Sequence, residues 1–103
     1  MVAKDPEAVK MMQMRIFILG NLNRLYPTPL QVRTLYRVLC GFDENYSLSL
    51  LQKDIAYLKQ KGYLEYVDER IGGADSFEKK CIGLTAEGKE IADRTQTDNA
   101  LEI

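Results

Sequence analysis

Residues 47–62, SLSLLQKDIAYLKQKG, decide the reading of this chain. Leu48, Leu51, Ile55 and Leu58 recur at spacings of three and four, the period of an amphipathic helix. Ser47 or Ser49 can cap its start, and Gly62 stands where a left-handed residue closes a helix. At about 100° per residue, Ser49, Lys53, Ala56, Tyr57 and Gln60 fall opposite the apolar stripe, with Gln52 on its flank. That outer face is small, polar and weakly basic, and the one acid, Asp54, lies toward the core side. An ordinary surface helix is one reading. A helix over 48–61 that lays one side on a core and offers the other to a partner is the second, and the flanking sequence has to separate them.

After Gly62 the period changes from helical to alternating. In YLEYVDE, Leu64 and Tyr66 alternate with Tyr63, Glu65 and Val67, which predicts a strand. RIGGADSFEKK is a turn or loop around Gly72-Gly73, and KCIGLT a returning strand with Ile82 and Leu84 on one face. Together they predict a hairpin over 63–84. Thr85 caps a last helix over 86–94 whose Ile91 turns inward, although Gly88 is a poor helix former. Residues 96–103 form a polar tail.

Upstream, Thr28-Pro29-Leu30-Gln31 combines a cap, a proline at the first helical position and a capping-box glutamine, predicting a helix over 29–40. Val32, Leu35, Tyr36 and Leu39 carry its core face. Arg33 and Arg37 lie four apart on another face, where solvation alone accounts for either one. Asp5-Pro6-Glu7 opens a helix from about 6 to 25, stopped by Tyr26-Pro27. This first helix has two apolar stripes roughly 150° apart. Met11, Met14, Ile18, Leu22 and Leu25 are expected in the domain core; Val9, Met12, Ile16 and Leu19 are then left for a partner, pointing to a homodimer through this helix, the alternative being a C-terminal tail that folds back to cover them with Leu101 and Ile103.

The 103 residues suit a single domain, expected over 1–95. No apolar run approaches the ~20 residues that span a bilayer, and MVAKDPEAVK lacks the hydrophobic segment of a signal peptide, so a cytoplasmic location without membrane partners is expected. Cys40 and Cys81 are far apart and unpatterned, which suits reduced thiols. The net charge of −1 conceals an asymmetry: residues 1–62 carry nine Lys/Arg against five Asp/Glu, and residues 63–103 five against ten. Only the first half is suited to an anionic partner. There is no histidine, no zinc-ligand cysteine spacing and no G-x-S-x-G elbow, and the only glycine pair is not followed by a phosphate-binding helix. No catalytic residue, metal site or cofactor is expected, and an enzyme is not the reading.

The order helix, helix, helix, strand, loop, strand, helix, carried by QKDIAYLKQKGYLEYV at 52–67 and IGLTAEGKEIA at 82–92, resembles the winged helix-turn-helix of bacterial, archaeal and phage regulators. The second segment resembles the LT-x-x-G opening of the last helix in MarR-like and PadR-like proteins. The likeness covers residues 28–94 and implies a mainly α, α+β fold of three helices, a two-stranded hairpin wing and a C-terminal helix. It implies a sequence-specific binder of double-stranded DNA acting in transcription regulation, with helix 48–61 in the major groove. Ser49, Gln52, Lys53, Ala56 and Gln60 would then face base edges. Arg33 and Arg37, with Arg70, Lys79 and Lys80 of the wing, would hold phosphates. Two departures stand out. The connection between the second and third helices is long, and the wing carries Glu65, Asp68, Glu69, Asp75 and Glu78. The alternative is a winged helix used as a protein-interaction module, consistent with an isoelectric point near 5.4. The sequence names no small-molecule effector.

Overall fold

The computed structural model of the chain describes residues 6–67 and 76–97. Over these it is a mainly helical α+β fold of four α-helices and one small three-stranded antiparallel sheet. The elements run α1 (Pro6–Leu25), β1 (Leu30–Gln31), α2 (Val32–Phe42), α3 (Leu48–Gln60), β2 (Leu64–Val67), β3 (Cys81–Leu84) and α4 (Ala86–Thr97). Arg70, most of the hairpin tip and residues 98–103 lie outside the described residues.

The helix α3 begins and ends on its own sequence. The Ser47 side chain accepts a hydrogen bond from the Leu50 N–H at 3.1 Å, satisfying one of the four orphan donors of the first turn. At the other end Gly62 takes φ +85°, which lets its N–H reach the Lys59 carbonyl at 2.9 Å and the Tyr63 N–H reach that of Leu58 at 3.0 Å. This paired closure turns the chain directly into β2. Leu51, Ile55 and Leu58 are fully buried, in one cluster with Val32, Leu35 and Leu39 of α2 and Ile18 and Leu22 of α1.

The sheet corrects the expected two-stranded hairpin. Its order is β1-β3-β2, with Leu30 opposite Ile82, Gln31 opposite Cys81, and Leu64 opposite Leu84. Leu30 and Gln31, expected in the first turn of the second helix, instead occupy the free edge of β3. The Val32 N–H then donates to the Lys80 carbonyl at 2.8 Å. The helix therefore starts three residues later than Thr28-Pro29 suggests, with Gln31 at its cap and no side-chain capping bond. Pairing covers the otherwise open edge of β3 and packs Leu30 against the core. A single turn of 3₁₀ helix at Phe77–Lys79, not foreseen, leads into β3.

The stripes of α1 also divide differently. Met14, Ile18 and Leu22 are buried as expected, but Met11 and Leu25 are 45% and 46% exposed near the helix ends. Leu19, assigned to a dimer interface, is fully buried. The reason is α4, which makes the most extensive helix–helix contact on α1 and provides a second buried flank. Asn23 fastens that contact: its Nδ2 donates to Asp93 at 2.8 Å, and Lys89 donates to its Oδ1 at 3.2 Å. Asn23 and Lys89, in that order, lower the Asp93 pKa below its ordinary value. Ala92 and Thr95 of α4 are buried, while Val9, Met12 and Ile16 remain half-buried.

Candidate nucleic-acid interface

The outer side of α3 carries Ser49, Gln52, Lys53, Ala56 and Gln60, and all five are exposed. Lys59 is exposed beside them in the last turn. The only acid of the helix, Asp54, points the other way and is 4% exposed. Gln offers a bidentate amide and Lys a mobile cation, while Ser and Ala leave room for close approach. The face can thus donate and accept hydrogen bonds without presenting negative charge.

A buried carboxylate needs partners, and Asp54 has two. Arg15 of α1 donates through Nε at 3.2 Å, and the Tyr46 hydroxyl donates at 2.7 Å. Burial first, and then the hydrogen bond to Asp54, push the Tyr46 hydroxyl pKa far above its usual value, so it remains a donor throughout the physiological range. The Arg15 guanidinium also stacks 3.7 Å from the Tyr57 ring centroid. One arginine therefore joins α1 to two successive turns of α3, and Tyr46 joins it to the α2–α3 connection. Arg15 itself is half-buried inside the protomer. The inward Asp54 was the one signal that such a partner had to exist.

The flanking cations are unequally available. Arg37 and Lys79 are exposed. Arg33 is exposed too, yet its Nη2 lies 3.4 Å from the Glu78 carboxylate, so a phosphate would have to displace that acid. Lys80 is half-buried, its Nζ 4.9 Å from the Tyr66 ring centroid, and Lys59 stands 5.7 Å from the same ring. The Tyr66 ring thus stands near one lysine from the end of α3 and one from just before β3. The sequence reading missed Lys59, whose only signal was its place in the last turn of α3. Glu65 is exposed on β2, while Asp68, Glu69 and Asp75 lie outside the described residues, as does Arg70.

Among the described residues, no group of three or more His, Cys, Asp or Glu side chains could hold a metal ion, and no helix is long and apolar enough to cross a membrane. Cys40 and Cys81 are free thiols. Compared with known proteins, the chain matches no family model, no curated protein and no solved structure.

Proposed function

We propose that the chain is a winged-helix protein that binds double-stranded DNA, with α3 as the reading helix, and acts in transcription regulation. The observation that carries this reading is the outer face of α3: five exposed side chains at the positions of a reading helix, with its only acid withdrawn beneath them onto Arg15 and Tyr46. The strand inserted before α2 and the antiparallel β2–β3 pair supply the frame of such a domain, and Arg33, Arg37, Lys59, Lys79 and Lys80 flank the face. In this role Gln52 and Lys53 make base contacts, Gln with adenine or Lys with guanine. The arginines of α2 hold the backbone.

A homodimer is part of the proposal, since two reading helices about 34 Å apart would read one palindromic site. With Leu19 inside the protomer, the contact falls to Val9, Met12 and Ile16.

The test is DNA-fragment selection with the full chain, followed by a salt titration of the selected duplex. Affinity is expected to fall steeply between about 50 and 200 mM salt. Lys53→Ala and Gln52→Ala are each expected to cost about 1–3 kcal/mol of specific binding without loss of fold. Unchanged affinity and site preference in both variants would falsify the assignment of α3 as reader. The second reading, a protein-interaction module, is favoured by one feature: Phe42 is 60% exposed while stacked on Phe17 at 4.3 Å between centroids, beside exposed Val38. Absence of any duplex selection together with loss of a partner on Phe42→Ser would favour that reading.

A further inference from the structure

A cavity of about 450 Å³ opens between the N-terminal half of α1, the α2–α3 connection and the first turns of α3. That size lies within the roughly 300–1,000 Å³ of small-ligand sites. Met14 and Tyr46 form its buried wall, and Met11 and Leu50 stand exposed at its mouth. Methionine and leucine here make an adaptable apolar lining, with thioethers that repack around different shapes.

The charged groups of the lining are mostly engaged with one another. Asp43 pairs with Lys10 at 3.0 Å and accepts the Asn45 N–H at 3.0 Å. Asp54 is held by Arg15 and by the Tyr46 hydroxyl. Lys53 is different: among the described residues no carboxylate is placed against its ammonium, although it lines the same cavity. The site is thus an apolar pocket with one uncommitted cation at its edge.

We propose that this cavity binds a small organic monoanion with an apolar body, its carboxylate on Lys53 and its chain among Met11, Met14 and Leu50. A neutral or cationic amphiphile of the same size gains the apolar contacts but not the ion pair. Lys53 also belongs to the outer face of α3, so an occupied cavity withdraws it from that face. Ligand binding itself needs no DNA and stands independently of the DNA reading.

The experiment is two-dimensional NMR of the full chain, without DNA, titrated with octanoate and, separately, octanol and octylamine. Octanoate is expected to give saturable shifts of the Met11 and Met14 methyl groups and of Leu50. It should bind about fivefold more tightly than octanol, the scale of a partly exposed ion pair, with octylamine weakest. Lys53→Gln, at an exposed position, is expected to keep the fold and the octanol affinity while removing the preference for octanoate. Equal binding of octanoate and octylamine would overturn the proposal. So would a preference that survives Lys53→Gln, or shifts that do not saturate at these residues.

Discussion

Replacing Gly88 with alanine sets packing against helix propensity, and the two predict opposite signs. Gly88 lies in the first turn of α4, its N–H donating to the Thr85 hydroxyl at 3.0 Å. Propensity alone makes alanine more stable there by about 1 kcal/mol. A Cβ at this position would overlap the Tyr63 carbonyl oxygen, and it would stand 2.8 Å from the Tyr63 carbonyl carbon and 3.1 Å from its Cα. All three atoms are backbone, so no rotamer change relieves the clash. Nor is Tyr63 free to retreat: its N–H closes α3 on Leu58, and its carbonyl accepts the Thr85 N–H at 3.0 Å.

Ordinary carbon contacts lie at about 3.5–4.0 Å, so α4 has to move out by about 1 Å. That shift loosens Ala92, Thr95 and the Asn23–Asp93–Lys89 cluster from α1 together. Overpacking of this kind costs about 1–3 kcal/mol, occasionally more. A backbone overlap this close puts the cost at the upper end, about 3 kcal/mol, so after the propensity gain of about 1 kcal/mol a net loss of about 2 kcal/mol is expected, or roughly 8–15 °C in Tm for a domain of this size. The assay is urea and thermal unfolding followed by circular dichroism. Gly41→Ala is the control, because that glycine sits in α2 with nothing within 4 Å of a built Cβ. It is expected to stabilise by up to about 1 kcal/mol. A Gly88→Ala protein as stable as the wild type would refute the close approach.

Tyr46→Phe removes one of the donors holding Asp54 and is expected to cost about 1.5–3 kcal/mol; a loss below about 0.5 kcal/mol, within the range of surface substitutions, would mean that the hydroxyl is dispensable. Arg15→Met strands the buried carboxylate and should cost about 3–5 kcal/mol, with Arg15→Met/Asp54→Leu recovering part of it in a double-mutant cycle. Lys10 first, and then the Asn45 N–H, hold the Asp43 pKa below its ordinary value. The stabilisation that follows is complete above an unfolded pKa of about 3.9 and is lost as pH falls through the lower folded value. Acid unfolding of Asp43→Asn should therefore show a shallower decline below about pH 4, and an unchanged slope would contradict this. Glu78→Gln frees Arg33 and is expected to strengthen duplex binding while steepening its log–log salt dependence by up to about one; no change in either would leave Arg33 without a phosphate role.

What could be read in advance was whatever the chain settles locally. The Ser47 cap, the Gly62 closure and the Tyr26-Pro27 stop each depend on neighbours within a few residues, and each appears where the sequence puts it. The outward set on α3 was legible for the same reason, because a 3.6-residue period fixes which side chains share a face. What escaped was decided across the fold. Leu30 and Gln31 look like a helix start until β3, some fifty residues later, offers them an edge. Leu19 looks spare until α4 covers a second flank of α1. Gly88 reads as a weakness in a helix, whereas the backbone of Tyr63 makes it a requirement, which gives the LT-x-x-G pattern a steric reason.

Asp54 joins these two kinds of information. Lys53 and Asp54 are adjacent, about 100° apart around α3, so the helix turns its cation outward and its acid inward by geometry alone. Left unpaired, that inward carboxylate would cost several kcal/mol and would favour rotating the helix to bring it back to water. Arg15 and Tyr46 remove that incentive, one from α1 and one from the connection before α3. The orientation of α3, and with it the acid-free outer face of the helix, is therefore set by a pair of contacts behind the helix. Substitutions at Arg15 should accordingly alter the outer face without touching it, by releasing the carboxylate that now holds α3 in place.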